Sequence, residues 1–400
     1  MAIRLIDNEH RARIKVVGVG GSGGNAINRM IESGMHGVEF VAVNTDAQAL
    51  EASRADFPIC IGGSVTRGLG AGADPEVGRQ AIEEDRDKVS KQLQDSDLIF
   101  ITAGMGGGTG TGAAPIVAEV ARDQGALTVG IVTEPFLMEG SPRMKNARSG
   151  IAELKDQVDT LITIKNQRLL EVVGRETTLQ EAFLKADEVL MQATRGISDL
   201  ITIPGMVNLD FNDVRTVISK GGDAIMGLGE HSGEERAVEA ARKAINSPLL
   251  EDVSIAGAKG VLINIAGDSN LTLYEINEVM SLINEESGSD AEIIFGTVID
   301  DSLAENIRVT VIATGFNINK NSEAEPAREQ EEPTQQDVEA DPLTIGSPVL
   351  LGNGNGGTSL EVPTYLRNGH SIPQEDQEPV RPAVGDLDIP TFLRRKMNAS

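Results

Sequence analysis

Apolar residues in the first half of the chain come in short, nearly unbroken runs. "IKVVGVG", "VEFVAVN", "DLIFITAG", "ALTVGIVT" and "TLITI" fall between Ile14 and about Ile203 and alternate with longer stretches of helical spacing. Strands buried on both faces read this way, so the alternation predicts a parallel sheet covered by helices on both sides. Then the period changes. Leu179, Phe183, Ala186, Leu190, Ala193, Ile197 and Leu200 recur at spacings of four and three. They predict one amphipathic helix from about Thr178 to Leu200, its stripe facing a core, stopped by "IPG" at Ile203 to Gly205.

From Asn208 to Thr314 the order becomes helix, strand, helix, strand, helix, strand, strand, with "AIMGLG", "GVLINIAG", "EIIFGTV" and "IRVTVIATG" as strands. This predicts a smaller α+β domain with a four-stranded sheet and helices on one face. Beyond Phe316 the patterning stops, and Glu323 to Asp341 carries eight acids against the single Arg328. Such a segment cannot bury enough apolar area to order itself. The expected organisation is an N-terminal extension (1–13), a Rossmann-like α/β domain (14–177), a central helix (178–203), an α+β domain (204–316), a disordered acidic linker (317–385) and a C-terminal peptide (386–400).

Composition narrows the classes. The formal net charge of −26 disfavours nucleic acid, because it repels phosphate backbones. From Asn317 onward there are fourteen acids and seven bases, net −7, which leaves −19 on the rest. One cysteine, Cys60, forms no internal disulfide, and four scattered histidines give no metal-ligand spacing. No stretch approaches the roughly 18 apolar residues of a membrane helix, and "MAIRLIDNEHRAR" lacks a signal-peptide core, so a cytosolic protein without membrane insertion is expected.

The candidate chemistry lies in glycine. "AGMGGGTGTGAAP", Ala103 to Pro115, follows a strand, and its bare N–H groups at a helix start suit a phosphate. No lysine follows, so it is not the P-loop pattern. "KVVGVGGSGGNAINRM", Lys15 to Met30, places Gly18, Gly20 and Gly23 in G-x-G-x-x-G between another strand and helix, and "GLGAGADP" at Gly68 to Pro75 adds a third turn. A dinucleotide-binding enzyme using NAD(P) shares the G-x-G-x-x-G loop, but its second strand should end on an acid. Here it ends on Asn44, with Asp46 two residues later.

Together with "GGGTGTG" at Gly106 to Gly112, the stretches "NTDAQAL", "GLGAGA", "TEPF" and "NLDFNDVRTV" resemble the tubulin/FtsZ superfamily, in its bacterial cell-division branch, from about Ile14 to Phe316. The resemblance implies a GTPase that polymerises head to tail into a ring at the division site, at the inner face of the membrane, with GTP/GDP and Mg2+ as cofactors. It gives Gly21, Ser22, Gly23, Gly24 and Asn25 to the nucleotide, and Gly108, Thr109 and Gly110 to the phosphates, with Asn44 and Ala71 to Ala73 alongside. Ser22 stands where many relatives have glycine or alanine. Glu139 would contact the ribose and Arg143 the nucleotide beside it, although "EGSPRM" also reads as Ser141 capping a helix with a solvated Arg143. Guanine would fall to Asn166, Phe183 and Asp187: one carboxylate accepts N1–H and N2–H₂ together, and an aromatic face stacks on the ring. Phe183 also fits a plain core position. Asn208, Asp210 and Asp213 would enter the neighbouring subunit's site and orient the attacking water, although two acids spaced by three also suit a helix cap. A filament protein that only binds GTP would not need those acids.

The end of the chain carries a further motif. "DIPTFLRRK", Asp388 to Lys396, resembles the superfamily's docking peptide for membrane-tethering and regulatory division proteins. Its apolar anchors and basic end suit such a role. "EVPTYLR", Glu361 to Arg367, repeats the pattern 27 residues earlier, either as an idle duplication or as a weaker second site.

Overall fold

The computed structural model describes residues 12–316 except 172–173, 175, 204, 208 and 251–254. The N-terminal extension up to residue 11, the acidic linker and both tail motifs lie outside the described residues.

The first half runs β1 (Ile14–Val19), α1 (Gly20–Glu32), β2 (Val38–Asn44), α2 (Ala47–Glu51), β3 (Phe57–Cys60), α3 (Gly63–Thr66), α4 (Pro75–Glu84) and α5 (Arg86–Leu93). It continues through β4 (Leu98–Gly104), α6 (Thr109–Asp123), β5 (Leu127–Glu134), α7 (Ser141–Lys155), β6 (Thr160–Lys165) and α8 (Asn166–Leu169). After the long α9 (Leu179–Thr202) come α10 (Phe211–Ile218), β7 (Gly222–His231), α11 (Arg236–Ile245), β8 (Gly260–Gly267), α12 (Leu273–Ser287), β9 (Glu292–Ile299) and β10 (Ile307–Thr314). Among the described residues, no helix is long and apolar enough to cross a membrane.

One sheet of ten strands runs through the described region in the order β3-β2-β1-β4-β5-β6-β7-β10-β8-β9. Strands β1 to β6 are parallel, with Val16 opposite Phe40 on one side and Phe100 on the other. The strand order reverses between β1 and β4, which puts a crevice beyond their C-terminal ends, the usual ligand position of an open α/β sheet. Val17, Ile99 and Ile101 face a core shared with α4 to α6, while Val16, Phe40 and Phe100 face a second core with α1 and α9. β1, β2, β4, β5 and β6 are therefore each covered on both faces, as their unbroken apolar runs require.

The four strands β7, β10, β8 and β9 match the sequence reading, but their helices lie on both faces. Val261, Ile263 and Ile265 of β8 pack with α11 and α12. Leu262 joins the α9 core together with Val214, Val217 and Ile218 of α10. The expectation of one covered face failed because α10 packs on the face opposite α11 and α12, together with α9, which the sequence reading placed outside this domain. Strand β3 was not anticipated either: Pro58 sits inside it and its side chains are mostly exposed, as an edge strand allows.

Helix α9 begins with a reciprocal cap, in which Thr178 accepts from the Glu181 N–H and the Glu181 carboxylate accepts from the Thr178 N–H. Ala186, Leu190, Ala193, Ile197 and Leu200 of its stripe are buried, but Leu179 and Phe183 are exposed. The stripe thus leaves the core in its first two turns. Further along, Asn264 Nδ2 donates to the Gly196 carbonyl at 3.1 Å, and Arg195 bridges Asp199 at 3.0 Å and Asp300 at 3.4 Å. These contacts fasten α9 to β8 and to the turn after β9. Leu190 is fully buried among both sets of strands, so Leu190→Ala should remove about 2–5 kcal/mol of stability in urea unfolding followed by circular dichroism. An unchanged midpoint would mean that α9 is not the shared core element.

Candidate functional site

At the C-terminal end of β1 the chain enters α1 directly, and at that of β4 it enters α6 through the four residues Met105 to Gly108. Gly20 has φ +75°, a conformation that side chains resist, and a Cβ there would lie 2.8 Å from the Gly110 nitrogen. A Cβ on Gly108 would lie 2.7 Å from that of Ala71 and 2.9 Å from the Asp74 nitrogen. Three glycine turns therefore meet by backbone contact. Thr45 Oγ1 and Thr109 Oγ1, 2.6 Å apart, join the second strand's exit to the same cluster.

Side-chain caps divide the helices: α3, α7 and α8 lack one as α1 and α6 do, but α1 and α6 are the pair whose starts touch. Asp46, Asp74, Thr178 and Asp210 cap α2, α4, α9 and α10 with their side chains. Neither α1 nor α6 has a side-chain cap or an acid in its first turn. Their first N–H groups and positive dipole ends are left for an anion.

These N-termini open on a cavity of about 280 Å³. Of the residues singled out in the sequence, Gly21, Ser22, Gly108, Thr109, Gly110, Glu139, Arg143, Asn166, Phe183 and Asp187 line it. Gly23, Gly24 and Asn25 lie further along α1 outside the lining, and Gly23 packs on the Thr102 carbonyl. Asn44 is buried, and its Oδ1 accepts from the Thr45 and Asp46 N–H groups, so it shapes the turn after β2. Ala71 flanks the lining through Gly108, while Ala73 lies outside the lining, its carbonyl accepting from Asn146 Nδ2. Asp46, the acid considered for a dinucleotide ribose, accepts from the Gln48 and Ala49 N–H groups as the α2 cap, which weakens that alternative.

The remaining side chains form a polar wall. The Glu139 carboxylate accepts from the Phe136 N–H at 2.8 Å and pairs with Arg143, so Arg143 is neither free nor merely solvated. The residue capping α7 is Gly140, with Ser141 as the first helical residue, which corrects the reading of Ser141 as the cap. Phe183 meets Phe136 edge to face at 5.4 Å between centroids and is 37% exposed, leaving part of its surface toward the cavity rather than in the core. Asn166 is buried, and its Oδ1 has no hydrogen-bond partner among the described residues. An unmet acceptor of this kind costs free energy unless a ligand donor reaches it.

Asp187 is buried, and loss of hydration pushes its carboxyl up to about 6, against the pull of Arg29, whose Nε stands 3.4 Å away. Arg29, Phe136, Met105, Thr133, Pro135 and Ala186 were not singled out as contacts in the sequence. Arg29 carries no local signal, because its partner lies in another helix. Two further sets of predicted residues stand apart. Asp210 and Asp213 do not line the cavity: each accepts the other's backbone N–H, at 2.8 and 3.3 Å, capping α10. Asn208 lies outside the described residues.

Comparison with known proteins places this geometry. Residues 13–174 match the model of the Tubulin/FtsZ family, GTPase domain, and residues 222–317 that of the FtsZ family, C-terminal domain. The chain is similar to the empty FtsZ dimer of M. jannaschii, with 48% identity, a TM-score of 0.75, and coverage of 77% of this chain and 89% of that one. It shares its fold with GDP-bound monomeric CetZ1 of Haloferax volcanii, with 24% identity, a TM-score of 0.66, and coverage of 76% and 95%.

A pH dependence follows from Asp187. Its folded pKa lies above the unfolded value, so protonation favours the folded state: the contribution is fully present below about pH 4 and is lost as pH rises through about 6. Unfolding midpoints of the nucleotide-free protein and of Asp187→Asn should therefore diverge between pH 4 and 6, with wild type losing stability relative to the variant as pH rises. Parallel profiles would place the carboxylate in water.

Proposed function

The chain belongs to the tubulin/FtsZ family of filament-forming cell-division GTPases, and from that premise we propose how its residues carry the activity. The observation that carries the reading is the convergence in one cavity of two uncapped helix N-termini with Asn166 and Asp187. The N–H groups of α1 and α6 hold the GTP phosphates through Gly21, Ser22, Gly108, Thr109 and Gly110. Glu139 and Arg143 meet the ribose, and Phe183 packs on the guanine ring. Asp187 accepts from N1–H and N2–H₂ of the base, while the unmet Asn166 Oδ1 accepts from a remaining donor. Adenine would turn its N1 acceptor toward Asp187, hence the preference for GTP.

Hydrolysis needs a polarised water and a counter-cation for the developing charge. Magnesium fits as an ion held largely by the phosphates, since no group of three acid, histidine or cysteine side chains that could hold a metal occurs among the described residues. Asp210 and Asp213 sit outside their own cavity, so they serve the cavity of the next subunit in a head-to-tail filament. Two facts support this: Met206 and Val207 beside them, and Leu69 at the third glycine turn, are exposed apolar side chains of the kind a contact would cover. The FtsZ relative at 48% identity is solved as a dimer. The filament forms a cytoplasmic ring at the division site.

Specific GTPase activity should accordingly be near zero in dilute protein and rise cooperatively with concentration. Asp210→Ala and Asp213→Ala should bind GTP and polymerise but hydrolyse poorly. Equal activity per subunit at every dilution would contradict the shared site.

The tail recruits the other division proteins. Asp388–Lys396 is the main docking peptide, and Glu361–Arg367 a second, weaker one, since Asn368 and Gly369 replace the basic pair. Tyr365 and Phe392 are the only aromatic residues beyond Phe316 and occupy the same place in the two copies. Corresponding residues of the two copies lie 27 positions apart, and a random chain of that length spans roughly 30 Å, within reach of one dimeric partner. Phe392→Ala should remove most partner binding, and Tyr365→Ala should lower only the avidity for dimeric partners. Identical binding curves for wild type and Tyr365→Ala would reduce the inner copy to a spacer.

A further inference from the structure

A second cavity, of about 430 Å³, lies where the two parts of the sheet separate. β6 and β7 pair at only three positions, Thr160 to Ile162 against Gly222 to Ala224, after which β7 runs with β10. Leu169 follows β6 in α8, and Leu228 lies on β7 beyond the paired stretch, so the two face a common gap. Val189 of α9 and Leu249, just after α11, complete an apolar wall in which Leu169 and Val189 are buried.

The polar side chains around this wall have an unusual balance. Lys185, Arg242 and Lys243 stand against the single acid Glu188, on a chain whose net charge is −26. Arg242 is exposed and pairs with Glu239 at 3.1 Å, Lys185 pairs with Glu188 at 2.9 Å, and Lys243 Nζ donates to the Glu230 carbonyl at 3.1 Å. Such half-buried or exposed contacts hold weakly, and a carboxylate seated against an apolar wall competes with them. Mostly apolar lining with a few convergent charges is the usual form of a small-molecule site.

We propose that this cavity binds a monomeric amphipathic carboxylate, its alkyl chain against Leu169, Val189, Leu228 and Leu249 and its head between Arg242 and Lys243. The site is distinct from the nucleotide cavity and lies across α9 from it: Lys185 is two positions from both Phe183 and Asp187, and Val189 two from Asp187, hence on the opposite side of the helix.

The test is isothermal titration of the full, nucleotide-free chain with decanoate below its micellar concentration, so that its result does not depend on the GTP reading. Decanoate should bind saturably at one site. The Arg242→Glu/Lys243→Glu double variant should bind at least tenfold more weakly, and decylamine should give no saturable heat. Leu228→Trp, which fills the cavity, should abolish binding while GTP binding persists; should it fail to fold, the charge-reversed variant decides, since its changes are on exposed positions. No saturable binding, equal affinity in the double variant, or equal affinity for decylamine would overturn the proposal.

Discussion

A Cβ at Gly20 would stand 2.8 Å from the backbone nitrogen of Gly110, and the rest of the site depends on that closeness. Two helices can start side by side at the ends of adjacent parallel strands only if the residues where they touch, Gly20 and Gly110, have no side chains to separate them. Their dipoles then point into one volume, and neither is quenched by a cap or by an acid. A chain of net charge −26 can hold a polyanion because this concentration of backbone N–H groups is local.

Helix α9 gives that volume its second wall. Its C-terminal two thirds is buried between the parallel strands and the β7 to β10 strands, and its first turns emerge to present Phe183 and Asp187. The binding wall and the core are thus one rigid element, and a shift of α9 at the cavity must be felt at Asn264, Arg195 and Asp300. Asp187 is destabilising as a buried carboxylate that Arg29 only partly compensates, a cost that a donor pair on a ligand would relieve.

Much of this was legible in the residue pattern. Strands buried on both faces must be apolar at every position, so their runs stand out, and glycine turns after strands announce backbone contact. β3 was not legible because an exposed edge strand interrupted by Pro58 carries neither signal. Coverage of both faces of the β7 to β10 sheet was missed because a periodic stripe says that a helix packs, not on what. Within the site, the residues brought together follow one another through motifs at the strand ends, whereas Arg29 meets Asp187 only by the packing of α1 on α9. For Asp210 and Asp213 the capping alternative is what the single chain displays, and their assignment to a neighbour's site rests on that separation.

In the proposed function the polar wall of the cavity reads guanine through Asp187. Isothermal titration of GTP and ATP into wild type and Asp187→Ala at neutral pH tests it most directly. The substitution should weaken GTP by about 1–3 kcal/mol and narrow the gap between GTP and ATP. Unchanged GTP affinity with undiminished discrimination would contradict it and put base recognition on other residues.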